Sequence, residues 1–422
     1  MIRGGGRDMV FEYEDIDEYE DKVKGYCFDE CSQCNDLLEI SMEHIKVEIS
    51  DKFIDIEEIP MLKCKKCGTL YYTEYAKVIL RGLYKELCNT GNCMVTSKPN
   101  GYRKKYNYAS GNNFIYDHRD YESIPGLMFD DEHSEVGFLT PVYFDRKALL
   151  YFISDPEYEV DIFSETYGHI GKRDREGFYQ YEWDVPFGFN TNGKLIFWLG
   201  DLDSMDEFSK GILSNFNLPS DHLLIGSEFY QAQMKCIFSN PIKEQQILLN
   251  KKNFIRNIKD KYRIDLKHLD EECEIQSKNV KRPIVFNEQS VSGVINALDK
   301  ILVEGINVAQ LRVLYEKMCD VDVSEKEHKK WQSIRLLKEI LIKLSSNLDK
   351  EIDIEKLMSP LYILHDYRIY LDHLLSDEEQ KKSKQHIVDT LQANNFGEQE
   401  KIYFEEIRRL DILFQHFVLL SK

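Results

Sequence analysis

Hydrophobic positions along the 422-residue chain change their period several times. Ile45, Val47 and Ile49 alternate with polar residues, as do Ile54 and Ile56, and this predicts strands. From Thr73 to Leu87 the spacing turns helical, with Ala76, Ile79, Leu80, Leu83 and Leu87 on one side. Residues 88–135 keep neither period and are rich in Gly, Asn and Asp, the composition of a linker. Short apolar runs return at 137–144 and 158–163, read as strands, with a helical 147–154 between them. In the aromatic run 187–201, Asn192-Gly193 separates two apolar stretches, a strong hairpin signal. A long helix is predicted from Pro241 to Tyr262, with Asn240 as its cap and Leu248, Ile255, Ile258 and Tyr262 as its stripe. Beyond the basic segment Lys278–Pro283 the pattern is helical throughout, at 290–303, 308–318, 325–344, 360–375, 377–394 and 399–420. Ser376 and Glu379 form a capping-box pattern at one of these starts. Short connections between such helices predict an antiparallel bundle.

Length allows two or three domains with their own cores. The net charge of −19 argues against broad electrostatic binding of DNA or anionic membranes, while leaving room for one local basic patch. No apolar run approaches the roughly 18 residues that a membrane span needs. Residues 1–7 lack the apolar core of a signal peptide, so a cytoplasmic location is expected. Residues 9–24 are strongly acidic and read as a loosely packed arm.

The ten cysteines are unevenly placed, seven of them between Cys27 and Cys93, which in a reducing compartment favours metal over disulfides. Cys31-Ser-Gln-Cys34 and Cys64-Lys-Lys-Cys67 are two C-x-x-C knuckles about 30 residues apart, and four thiolates complete a closed tetrahedral zinc site. Gly68 suits the tight turn after the second knuckle. The segment from Ile59 to Glu74, which runs into a helix, resembles the YgiT-type zinc ribbon found at the start of certain antitoxins. The likeness covers about residues 27–90 and implies Cys31, Cys34, Cys64 and Cys67 as ligands of a structural Zn²⁺. No helix-turn-helix follows, so it implies no antitoxin role. Cys27, Cys88 and Cys93 are extra to this ligand set. Such a module offers a surface to a protein partner or to the rest of the chain.

Three further groups of residues bear on chemistry. In Ser359–Leu375, read as one helix with Ser359 as cap and Pro360 at its first position, Leu364, Tyr367, Leu371, Leu374 and Leu375 form an apolar face. His365, Arg368 and Asp372 line up on the other side, flanked by Asp366 and His373, with Ile369 among them. Two imidazoles, a guanidinium and a carboxylate suit acid/base work near neutral pH, whereas a plain solvated face would carry an Arg368–Asp372 pair. In the linker, Tyr102, Arg103, Lys104, Lys105 and Tyr106 interleave cations with rings that can meet phosphates and unpaired bases, or form a surface loop. Asp201, Asp203, His222 and Glu228 are donors for a catalytic Mg²⁺ or Mn²⁺ in an alternative, metal-dependent nuclease, and equally serve as caps and turn residues.

The spacing Arg368-x4-His373 resembles the R-x4–6-H motif of the HEPN ribonucleases, which are all-helical, usually dimeric and metal-independent. The residue after the arginine, usually polar in that family, is Ile369 here. The resemblance implies that His373 moves a proton during attack of the 2′-hydroxyl, and that Arg368 holds the phosphate. It also implies a homodimer through the C-terminal bundle, whose last helix carries Phe404, Ile407, Leu410, Leu413, Phe417 and Leu420 in one stripe. The chain therefore reads as a multidomain α+β protein. Its parts are an acidic arm (1–26), a four-cysteine zinc ribbon plus helix (27–95), a linker with the basic, Tyr-rich loop (96–136), an antiparallel α+β domain (137–284) and a HEPN-like bundle (285–422). The expected function is RNA or tRNA cleavage, in a defence or toxin-like system. A non-catalytic zinc-ribbon adaptor is the alternative from another class.

Overall fold

Ile45 pairs with Ile56 and Val47 with Ile54 across a long hairpin, Ile49 faces Lys52 beside its turn, and the side chains of Ile45, Val47, Ile49, Ile54 and Ile56 are all fully buried. In the computed structural model, which describes residues 9–23, 29–99, 104–127, 136–319, 328–346 and 352–422, the chain divides into two units between Ser239 and Asn240.

The hairpin strands of the N-terminal unit are β2 (Leu38–Ile49) and β3 (Lys52–Cys64), flanked by β1 (Met9–Tyr13), β4 (Leu70–Tyr72) and β5 (Met94–Ser97). β1 lies parallel to β2, and β5 lies parallel to β3. The helices α1 (Ile16–Val23) and α2 (Glu74–Thr90) cover this sheet, so part of the expected acidic arm is a strand and a helix with Tyr19 fully buried. Thr73 caps α2, its hydroxyl accepting from the Ala76 amide, and Gly91 ends it in the left-handed conformation.

A second sheet runs in the order β11-β6-β10-β9-β8-β7, all antiparallel. Its strands are β6 (Pro141–Phe144), β7 (Tyr158–Ile162), β8 (Tyr167–Arg173), β9 (Tyr181–Phe189), β10 (Leu195–Trp198) and β11 (Asn217–Leu218). The Asn192-Gly193 turn joins β9 to β10, with Gly193 at φ +74° and the Asn190 side chain accepting from the Asn192 and Lys194 amides. Around this sheet lie α3 (His118–Glu122), α4 (Leu149–Ser154), α5 (Leu199–Asp203), α6 (Glu207–Ser214) and α7 (Glu228–Lys235).

The two sheets share a core. Cys31, Leu38, Ile40, Leu62 and Cys64 pack with Ile124, Tyr143, Ile196, Trp198 and Phe229. The stretch expected as a linker is part of this unit: β5 joins the first sheet, and α3 is almost wholly buried. Its polar composition misleads because its charges satisfy one another, as with Arg119, which forks onto Asp117 and donates to the Glu58 and Pro99 carbonyls.

The C-terminal unit is helical, with α8 (Lys243–Tyr262), α9 (Asp270–Ser277), α10 (Glu288–Asp299), α11 (Val308–Cys319), α12 (Ser333–Ser345), α13 (Ile354–Asp372), α14 (Asp377–Leu391) and α15 (Gln399–Ser421). α8, expected to close the middle domain, belongs here. Phe254 packs tilted against Phe417 of α15, and buried Glu244 takes both Arg282 and the Tyr403 hydroxyl. This helix starts at Lys243, without the expected Asn240 cap. Ile407, Leu410, Leu413 and Phe417 lie in the bundle core, so most of the stripe on α15 closes the bundle, while Phe404 stays exposed. No helix among the described residues is long and apolar enough to cross a membrane.

Candidate functional site

The two C-x-x-C knuckles meet at one end of the β2–β3 hairpin. Each is wound by the same local device. The Asn35 amide returns to the Cys31 carbonyl and the Gly68 amide to the Cys64 carbonyl, with Asn35 at φ +55° and Gly68 at φ +74°. Asn tolerates this left-handed position better than most side chains, so it does in the first knuckle what Gly does in the second. The four Sγ atoms lie within 4.8 Å of one another, with Cys31–Cys67 and Cys34–Cys64 at 3.5 Å and Cys34–Cys67 at 3.7 Å.

Zn–S bonds of about 2.3 Å in a tetrahedron give S···S edges of about 3.8 Å, so the spacing fits one ion. Electrostatics agrees. Burial would raise the Cys31 thiol, but bonds from Tyr71 and nearby amides bring it down to about 6. The Asp36 amide favours the Cys34 thiolate, yet burial and the sulfurs of Cys64, Cys31 and Cys67 push it up to about 12. Crowded sulfurs of this kind all ionise only around a cation. Four thiols so placed can hold a metal ion such as zinc. Cys88 and Cys93 are exposed and stand outside the cluster, and Cys27 lies outside the described residues.

The row on α13 faces α10. Arg368 Nη1 lies 2.6 Å from Asp299 Oδ2 and 2.6 Å from Glu304 Oε1, and His365 Nδ1 lies 3.3 Å from Asp299 Oδ1. Farther along, Asp372 accepts from Asn296 at 2.8 Å. Asp299 is fully buried, whereas the His365 and Glu304 side chains are 42 % and 50 % exposed. Asp299 and Glu304 are functional candidates that sequence reasoning missed. They meet one guanidinium because α10 continues into a π turn over Lys300–Glu304, where i→i+5 bonding sets residue 304 above residue 299. Lys251 supports that turn, its Nζ donating to the Ile301 and Gly305 carbonyls. Helical spacing in α10 gave no sign of the extra residue.

α13 also departs from expectation at both ends. It begins at Ile354 with Asp353 as cap, so Pro360 lies inside it, and the Lys356 carbonyl that proline cannot bond is taken by the Ser359 hydroxyl at 2.9 Å. It ends at Asp372. His373 is the C-cap in extended conformation, exposed, and Leu374 is fully exposed instead of sharing the apolar face. Arg368 and His373 thus do not lie on one helical face.

In the basic loop, Tyr102 and Arg103 lie outside the described residues. Lys104, Lys105 and Tyr106 line a cleft of about 440 Å³ together with Tyr108, Phe114 and Tyr116. Tyr106 is buried, stacks on Tyr116 and so fills core, while Lys104 is held by Glu122 at 3.1 Å. The four donors weighed for Mg²⁺ or Mn²⁺ serve separate local roles. Asp203 accepts from the Ala109 amide, Glu228 from Thr166 and Ser239, His222 faces Asp120, and burial raises Asp201 to about 6. Among the described residues, the four cysteines are the one group placed to share an ion.

Fold and site together define a two-unit α+β protein with a cluster of four cysteines able to hold a metal ion in its N-terminal unit and a helical C-terminal unit. Compared with protein-family models, curated proteins and solved structures, the chain matches none.

Proposed function

We propose that the chain cleaves RNA without a catalytic metal, at the face of α13 that carries His365 and Arg368, and that the four-cysteine centre holds a structural Zn²⁺. One observation carries the reading: buried Asp299 grips Arg368 and His365 together. A carboxylate on Nδ1 orients the ring and leaves Nε2, on a side chain 42 % exposed, to take a proton from a 2′-hydroxyl. Arg368 stabilises the charge that builds on the phosphate once Glu304 gives way. His373, the extended C-cap eight residues beyond His365, lies off this face, and the leaving oxygen takes its proton from solvent. The resemblance to HEPN ribonucleases supports the reaction class. Under this reading Asp299 is a positioning residue, and His365 carries the role that the motif alone assigned to His373. Products should end in 2′,3′-cyclic phosphate, formed at a chelator level that leaves one zinc ion per chain.

A second reading rests on the same guanidinium. Arg368 is held by two carboxylates, the arrangement of a structural staple, and the protein is then a zinc-centred scaffold for protein partners. Glu304→Gln separates the two. It should speed RNA cleavage several-fold if Glu304 competes with phosphate, and it changes only stability in a scaffold.

A further inference from the structure

Away from both clusters, the loop 219–223 of the N-terminal unit holds an imidazole in a built setting. His222 Nδ1 lies 2.6 Å from Asp120 Oδ1, and the Ser220 hydroxyl donates to Asp120 Oδ2 at 2.5 Å. Asp120, on α3, is fully buried, and the His222 side chain is 19 % exposed. The loop is fastened on its other side as well: Asp221 accepts from Asn190 and Asn192 at the β9–β10 turn, and Lys194 donates to the Pro219 carbonyl. His222 sits at φ +62°, a backbone conformation that a non-glycine residue keeps only when its surroundings hold it there.

Nε2 has no hydrogen-bond partner among the described residues, yet it is not among the atoms sealed from solvent. One nitrogen is tied to a buried carboxylate and the other is bare and reachable. That is the arrangement of a general base.

Charge limits what it serves. Asp117 is paired with Arg119 at 2.6 Å and Asp221 with Lys194 at 3.5 Å, so neither pair adds net charge beside Asp120 and His222. With no surplus of cations, the site does not draw a polyanion such as RNA. We propose that His222 is a catalytic base for hydrolysis of a neutral ester or amide, with Asp120 as its positioning residue. Nε2 takes a proton from water as the water oxygen bonds to the carbonyl carbon. The bond to the leaving alcohol or amine then breaks, and the proton passes from Nε2 to that leaving atom, giving acid and alcohol or amine.

The test uses the full chain, folded and zinc-loaded, with 4-nitrophenyl acetate as the neutral probe over pH 5–9. His222→Asn, which tolerates the left-handed backbone, should lose about tenfold or more of the rate. Asp120→Asn should move the inflection of the rate profile to lower pH, because the anion favouring the imidazolium is gone. Selective ¹⁵N-histidine labelling should place the neutral proton of His222 on Nδ1. A folded His222→Asn with the wild-type rate, an unmoved inflection in Asp120→Asn, or a proton on Nε2 would each overturn the proposal.

Discussion

Glu406 lies in the middle of α15, fully buried, with no hydrogen-bond partner for either carboxylate oxygen among the described residues. Burial pushes its pKa well above the ordinary carboxylate value, Arg409 opposing only in part. The folded chain therefore keeps this proton after the unfolded chain has released it, and stability falls as pH rises above the unfolded value. Glu406→Gln should remove that slope, and Glu406→Met should raise stability at pH 7 by about 1–3 kcal/mol, measured by urea unfolding of each variant at pH 5 and pH 7. Asp299 is the opposite case, a buried carboxylate with two partners. Asp299→Asn leaves Arg368 without its buried counter-charge and should cost about 2–3 kcal/mol in the same assay. At this scale the sequence was readable where a residue acts through its neighbours in the chain: both C-x-x-C pairs and the Ser376–Glu379 box lie where expected. It was unreadable where partners lie far apart, as with Arg368 and Asp299, 69 positions away.

Among the elements, the π turn after α10 matters most. Its five residues bring Glu304 onto Arg368, and Lys251 holds two of the carbonyls there. Lys251→Met should release those carbonyls and destabilise the helical unit by about 1–3 kcal/mol. Hydrogen exchange over residues 299–305 should rise in step, and unchanged exchange would show that Lys251 does not support the turn. Periodicity predicted a helix over 290–303 and could not show the turn, because an inserted residue keeps a segment helical while shifting its face. The helix over 359–375 was misplaced for a related reason. Pro360 reads as a first-turn residue until Ser359 is seen to take the carbonyl that proline leaves. The linker over 96–136 was misread because buried ion pairs look like solvated charge in a sequence.

For the molecule as a whole, the mixed α+β class and the helical C-terminal region followed from the change of period along the chain. The division into units did not. The cysteine end of the first sheet shares a core with the second sheet, so ribbon and middle block form one unit. If the four cysteines hold zinc as proposed, its loss should therefore be felt beyond the knuckles. Cys64→Ser should lower bound zinc from one ion per chain to near zero and raise hydrogen exchange in β2, β3 and β10, with α8 unchanged. Exchange confined to the knuckles would contradict the shared core. The central claim concerns the helical unit, and the most direct measurement is the rate of RNA cleavage by zinc-loaded wild type, His365→Ala and Arg368→Ala, each checked for folding. The account predicts cleavage by wild type that persists when free divalent ions are chelated, and a loss of about 100-fold or more in both variants. An undiminished rate in folded His365→Ala, or no cleavage by wild type, would contradict it.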